Sequence, residues 1–222
     1  MFVVIFTVQP RSGHFDEYLG LARSLRPELE KIDGFIDNER FASQRQEGRI
    51  LSLSIWRDEK AVIRWRTLGA HHHVQERGRS AVFADYHLRV GEIVTDTGLP
   101  PGPALAEQRL DETETGAAKA ATISEVSPAT GAAPAGADLA AALGLPAVGT
   151  RGLVDGEVFE SITNPGKLLL LAAWQDAAAG RWQPGSPAAG ALRHRRVRII
   201  RDYGMSDRRE APQYYPPVSR NG

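Results

Sequence analysis

The sequence predicts an α+β fold in which two like domains of one chain pack sheet to sheet. Three observations predict it. The first is an internal duplication at a fixed offset of 118 residues, which aligns Ile5 with Ile123, Val8 with Val126, Pro10 with Pro128, Gly34 with Gly152, Phe41 with Phe159, Leu51 and Leu53 with Leu169 and Leu171, and Trp56 with Trp174. Identity scattered along one register marks a repeated structural unit. The second is the order of apolar patterns in each copy, which alternate between strand-like and helix-like periods. The third is physical: a sheet with helices on one side leaves its other apolar face bare, and a second copy can cover it.

The elements follow in order. Phe2 to Val8 is a β-branched and aromatic run ending at Pro10, which reads as a strand and a turn. Phe15, Tyr18, Leu19, Ala22, Leu25, Leu29 and Ile32 recur at three- and four-residue spacing, the apolar face of a helix. Ser12 is its candidate N-cap, Pro27 should kink or restart it, and Gly34 ends it. Phe35 to Ser43 and Ile50 to Trp56 are strands joined through a turn at Gln44 to Gly48. Asp58 can cap a second helix through Leu68, and Gly69 leaves open whether the His-rich segment continues it. Tyr86 to Val94 is a fourth strand. This βαββαβ order is that of a ferredoxin-like domain. The expected fold is therefore two ferredoxin-like domains closing an intrachain pseudo-dimeric α/β barrel. The first covers 1–96, and 97–119, rich in Pro, Gly and acids, is a linker. The second covers 120–205, with strands at Gly152 to Ser161, Lys167 to Trp174 and Arg196 to Arg201. Its first helix is weak, with only Leu139, Leu143 and Leu145 to bury across Ala129 to Gly149. Residues 206–222 pass Pro212, Pro216 and Pro217 and read as an extended tail that needs a surface to lie on. The copies diverge most from Trp65 to Phe83, which has no counterpart of equal length after Trp182.

Composition narrows the function. Lys plus Arg equals Asp plus Glu at 27 each, so no global field favours nucleic acid or an anionic membrane. Cysteine is absent, which excludes disulfides, thiolate nucleophiles and thiolate metal sites. The apolar start lacks a basic leader and cleavage site, and no run reaches the ~20 residues of a membrane span. A cytoplasmic protein is expected, acting as a monomer with an internal pseudo-dimer or as a homodimer of tandem chains.

The first half resembles the antibiotic biosynthesis monooxygenase family of dimeric α/β barrels. The resemblance is carried by Leu51-Ser52-Leu53-Ser54-Ile55-Trp56-Arg57-Asp58-Glu59, Trp65, His71, Gln75, Gly78-Arg79, Phe83-Ala84-Asp85-Tyr86 and Arg89-Val90. The Arg26-Pro27-Glu28-Leu29-Glu30 and Asp33-Gly34-Phe35-Ile36 segments also fit. The second half looks like a worn copy, keeping Gly166-Lys167-Leu168-Leu169, Trp174 and Arg201-Asp202-Tyr203-Gly204-Met205 but not the His, Gln and Gly-Arg positions. The resemblance implies oxygenation of a small aromatic or polyketide-like compound by dioxygen without metal or flavin. Such chemistry needs a dry cavity, a group that favours the deprotonated substrate, and donors that hold oxygen. Relatives that degrade haem carry an axial His on the second helix and an Asn on the first strand. Those places hold Gln75 and Thr7 here, which disfavours haem, while His71 to His73 keep it as an alternative. A barrel that binds a small molecule without chemistry is the other reading.

If Leu51, Leu53 and Ile55 pack under the helices, alternation sends Ser52, Ser54 and Trp56 into the barrel. Leu170, Ala172 and Trp174 would then supply the opposite, apolar wall of a central cavity. On a continuous second helix Ala61, Trp65, Leu68, His72, Gln75 and Arg79 share a face; a break at Gly69 would replace His72 with His71. Either imidazole suits a general base, and Arg79 suits an oxyanion. The candidate catalytic residues are thus His71, His72 and Arg79. The candidate binding residues are Ser52, Ser54, Trp56, Trp65, Gln75, Phe83, Tyr86 and Trp174, with core packing the other reading for the three Trp. Consecutive His side chains on a helix point about 100° apart and cannot converge on one ion, and His72 with Glu76 gives two ligands at most. No resident metal is expected.

Overall fold

The structure, a computed structural model, describes residues 1–100, 105–128, 138–187 and 190–215. The first copy contains β1 (Phe2–Pro10), α1 (Phe15–Glu30), β2 (Phe35–Ser43), β3 (Ile50–Trp56), α2 (Glu59–Thr67), α3 (Gly69–Arg77), a π-helical turn at Gly78–Val82, and β4 (Phe83–Asp96). The second contains β5 (Ala120–Ser127), α4 (Leu139–Ala142), β6 (Leu153–Ser161), β7 (Leu168–Trp174), a 3₁₀ turn at Ala179–Arg181, and β8 (Ala191–Gly204). Prolines 216 and 217 and the first part of the weak-helix stretch, from 129 to 137, lie outside the described residues.

Each copy orders its strands as a ferredoxin-like sheet, and the two sheets join edge to edge as one closed antiparallel barrel, β1-β3-β2-β6-β7-β5-β8-β4. The seams show the duplication directly. Phe41 pairs with Ser161 and Ser43 with Phe159 around Ala42 and Glu160, so each pair is the 118-residue image of the other. Phe2 faces Glu92 in the first copy, whereas Ala120 faces Arg198 in the second. The offset has dropped from 118 to 106 by the last strand, a deletion of twelve residues where the first copy carries α2 and α3. In the new register the second seam is symmetric as well, with Gly91↔Ile199 and Ile93↔Val197 flanking Glu92↔Arg198.

The barrel interior is a single apolar cluster drawn from both sheets, including Val3, Ile5, Phe41, Leu51, Leu53, Ile55, Ile93, Ile123, Phe159, Leu169, Leu171 and Ile199. This reverses the expected facing of β3. Leu51, Leu53 and Ile55 point inward, so Ser52 and Ser54 lie on the outer, helix-covered face, and apolar side chains fill the barrel where a central cavity is expected, leaving about 30 Å³ beside Thr7, Arg89 and Leu171. The physical reason is area. The two inner faces are the largest surfaces the chain can bury against each other, and the bulkiest branched residues of both copies go there. Leu170, Ala172 and Trp174 likewise face outward, under Leu143, Leu145 and Trp182.

Local expectations differ in three further places. No side chain caps α1, which begins after His14 rather than at Ser12. Pro27 neither kinks nor restarts α1, because it removes one bond near the helix end while Leu29 in the final turn stays buried. Strands β4 and β8 run beyond their predicted limits: their later parts pair with each other along the seam, while the start of β4 pairs with β1 and the start of β8 with β5, long-range contacts invisible to local patterning. Asp58 does cap α2, accepting from Ala61 N at 2.8 Å. No helix among the described residues is long and apolar enough to cross a membrane.

At the second seam a Cβ on Gly91 would stand 2.3 Å from Val197 Cγ1 and 2.8 Å from the carbonyl oxygen of Arg198. Because one of these atoms is paired backbone, Gly91→Ala should destabilise the protein by roughly 1–3 kcal/mol. Chemical denaturation should show a lower midpoint at unchanged slope.

Candidate active site

A cavity of about 190 Å³ lies outside the barrel, between the outer face of the first sheet and α1, α2 and α3. Strand pairing fixes its floor. Arg40, Ser52, Phe6, Leu88 and Tyr203 form one row across five strands, and Asn38, Ser54, Val4 and Val90 form the next. The floor is therefore polar at β2 and β3, apolar in the middle, and aromatic toward β4 and β8.

Of the sequence candidates, Ser52, Ser54, Trp65, His71, Gln75, Arg79, Phe83 and Tyr86 line this cavity. Trp56 does not. It is fully buried beside Phe35 and donates through Nε1 to Ser54 Oγ at 2.9 Å, so it packs the core and orients a lining hydroxyl. Trp174 belongs to the other half, where it packs on Trp182 and donates to Thr122 Oγ1 at 3.0 Å. Both serine hydroxyls accept from fixed donors, Ser52 from Asn38 Nδ2 at 3.2 Å and Ser54 from Trp56. Each hydroxyl hydrogen is left for the cavity.

The helix carrying the imidazoles is broken. Leu68 is extended, with φ −63° and ψ 128°, and α3 starts afresh at Gly69. The break brings His71 to the cavity and turns His72 away. His72 Nδ1 lies 3.1 Å from the Tyr215 hydroxyl, its ring stacks on Tyr215, and its Nε2 sits 3.3 Å from Glu76 Oε1. His71 lies flat on Trp65, ring centroids 4.2 Å apart, with Nδ1 3.0 Å from the Trp65 carbonyl oxygen. A carbonyl only accepts, so Nδ1 carries the proton and Nε2 keeps its lone pair. Burial pushes the imidazole down to about 4, outweighing the Trp65 carbonyl, which acts the other way. His71 is thus a neutral base of fixed tautomer. Among the described residues no group of three or more His, Cys, Asp or Glu could hold a metal ion.

The opposite end is cationic. Arg79, 5% exposed, donates to the Tyr86 hydroxyl at 2.5 Å and to the Met205 carbonyl at 3.4 Å, and its Nη2 has no partner. Arg208 donates to the same phenol oxygen at 2.5 Å. The Tyr215 ring lies under both guanidiniums, at 5.1 and 5.2 Å, and its hydroxyl donates to Gln75 Oε1 at 2.9 Å. Gln213 donates to the Arg66 carbonyl at 3.2 Å. The chain after β8 therefore lies against the cavity as far as Tyr215, and this part of the tail has its surface. Burial pushes the Tyr203 phenol of the floor up to about 12, so it stays protonated.

Asn38, Arg40, Arg66, Tyr203, Arg208, Gln213 and Tyr215 also line the cavity, and sequence reasoning misses them. A signal existed for two of them. The hairpin at Gln44 to Gly48 sets Arg40 opposite Ser52 and Asn38 opposite Ser54, so the serines announce their neighbours once the hairpin register is drawn. Nothing local indicates where the tail docks.

The antibiotic biosynthesis monooxygenase family model matches residues 1–77. Over 224 aligned residues, 99% of this chain and 100% of the relative, the sequence is 44% identical to jasmonate monooxygenase ABM of Pyricularia oryzae. Among solved structures, an aldoxime dehydratase superposes with a TM-score of 0.52 at 11% identity, covering 89% of this chain and 80% of that one. A crystal structure of an antibiotic biosynthesis monooxygenase covers 43% of this chain and 100% of its own, at 18% identity and a TM-score of 0.38.

For His71 the sign of the pH effect follows from its depressed value. The unfolded imidazole protonates near pH 6.5 and the folded one near 4. The unfolded state therefore binds more protons between these values, and stability falls as pH drops from about 6.5 to 4. NMR of ¹⁵N-labelled protein should show His71 neutral with Nδ1 protonated at pH 7. Titration near 6.5 would contradict the geometry.

Proposed function

Because the chain belongs to the antibiotic biosynthesis monooxygenase family, we propose that it oxygenates a compact cyclic organic compound in the cavity beneath α1 to α3, using dioxygen and no prosthetic group. The observation that carries this reading is a neutral, tautomer-fixed His71 facing an apolar floor flanked by hydrogen-bond donors. The volume also sets a limit. About 190 Å³ falls below the ~300–1,000 Å³ of sites for drug-sized ligands, which favours one ring with a side chain over a fused-ring polyketide. The relative's substrate, jasmonate, is such a compound, a cyclopentanone with an apolar chain and a carboxylate. A one-ring phenol is the aromatic equivalent.

In this reading His71 Nε2 takes a proton from an acidified C–H of the substrate. The resulting carbanion passes an electron to dioxygen, recombination gives a peroxide, and loss of water converts CH₂ to C=O. The substrate supplies all four electrons, so no external reductant enters. Arg79 holds an oxyanion of the substrate, and the Ser52 and Ser54 hydroxyls donate to developing charge on oxygen. Trp65, Phe83 and the cover of α3 exclude water, while Gln75 fixes Tyr215 over the mouth. Two features favour this reading over the haem alternative. The cavity is smaller than a tetrapyrrole, and Thr7 projects from the opposite face of the sheet to Phe6, which lines the cavity.

The test is oxygen uptake by colourless purified protein with jasmonate or a one-ring phenol, together with mass analysis of product formed under ¹⁸O₂. His71→Ala should lower turnover by about 10²–10⁴-fold, whereas His72→Ala should leave most of it. Equal loss in both variants, or product without ¹⁸O, would defeat the reading.

A further inference from the structure

We propose that the cavity takes its substrate as a carboxylate anion seated between Arg79 and Arg208 at the Tyr86 end, so that the substrate is a compact monocarboxylic acid. The inference rests on the reading that this cavity is the substrate site, and it assigns that site its ligand class and a residue from the far half of the chain.

The cavity lining is unbalanced in charge. Four arginines line the cavity, Arg40, Arg66, Arg79 and Arg208, and no Asp or Glu does. Arg79 and Arg208 converge on one phenol oxygen at 2.5 Å each. Their other acceptors are the Met205 and Gln213 carbonyl oxygens. A buried guanidinium, Arg79, and a half-buried one, Arg208, thus meet with only neutral acceptors in their hydrogen bonds, and buried charge without a counter-charge is unfavourable. Nitrogen atoms of Arg40, Arg66 and Arg79 are buried with no hydrogen-bond partner.

Two buried or half-buried arginines of β8 have acidic partners instead, although Arg198 Nε also lacks a hydrogen-bond partner. Arg195 is matched by Asp96 and Glu125, and Arg198 by Glu92 and Glu107. Against that pattern, the missing anion at the cavity belongs to the ligand. Its chemistry is set by the surroundings. The apolar floor of Val4, Phe6, Leu88 and Val90 takes a hydrocarbon body, the small volume excludes a nucleotide or sugar phosphate, and a planar carboxylate matches the fork of a guanidinium. The Tyr86 hydroxyl, accepting from both arginines, keeps its own hydrogen as a further donor. Arg208 lies on the segment after β8, so the second half, shorter where the first carries α2 and α3, completes the acid site of the first.

Isothermal titration calorimetry of the full chain with jasmonic acid and with its methyl ester separates charge from shape. The acid should bind at least about tenfold more tightly than the ester. Arg208→Leu should weaken the acid far more than the ester and so remove most of that preference, and Arg208→Lys should restore part of it. Equal binding of acid and ester, including none by either, overturns the proposal, as does an Arg208→Leu variant that weakens both equally. Oxygen uptake reports separately. Preferred binding of the acid without turnover keeps the anion site and removes the monooxygenase reading; equal turnover of acid and ester does the reverse.

Discussion

The inner faces of the two half-sheets bury each other, and the rest of the molecule depends on that contact. Sixteen buried residues from both copies form one cluster inside the barrel, and edge pairing closes both seams around it. Once the interior is filled, alternation along each strand leaves no freedom. Every residue between two core residues must face outward, and the outer face of the first sheet is the wall that α1, α2 and α3 roof. The cavity is a consequence of helix cover on a sheet whose other side is already occupied.

The halves have divided the remaining work. The first copy keeps α1, α2 and α3, and with them Trp65, His71 and Arg79. The second has lost twelve residues of helical connection and covers its outer face with Leu139, Leu143, Leu145 and Trp182 instead. What it contributes is a strap, the chain beyond β8, which places Arg208 and Tyr215 over the first copy's cavity. The π-helical turn at Gly78–Val82 belongs to the same design. Gly78 admits the Phe83 ring, which a Cβ would meet at 2.4 Å, and the turn delivers Arg79 to Tyr86 from above.

Much of this was legible in the residues. The duplication, the strand order and the limits of β2 and β3 follow from period and identity, because those signals are local and strong. The break that selects His71 over His72 was visible as an option in Gly69, though not decidable from it. The facing of β3 was misread because both faces are plausible. Leu51, Leu53 and Ile55 are equally suited to a helix or to another sheet, and only the competing area of the second copy decides between them. Serines that looked like the lining of an inner cavity line an outer one. The tail's docking was illegible for a different reason. It depends on rings and guanidiniums more than a hundred residues apart, and no spacing rule connects Tyr215 with His72 and Gln75.

The proposed site lies outside the barrel, beneath the helices of the first copy alone. A crystal structure of the protein soaked with jasmonate tests it most directly. The account places ligand density over Phe6, Ser54 and Tyr86, with its acid group between Arg79 and Arg208. Density among Leu53, Ile93 and Leu171 inside the barrel, or against Trp174 in the second copy, would contradict it.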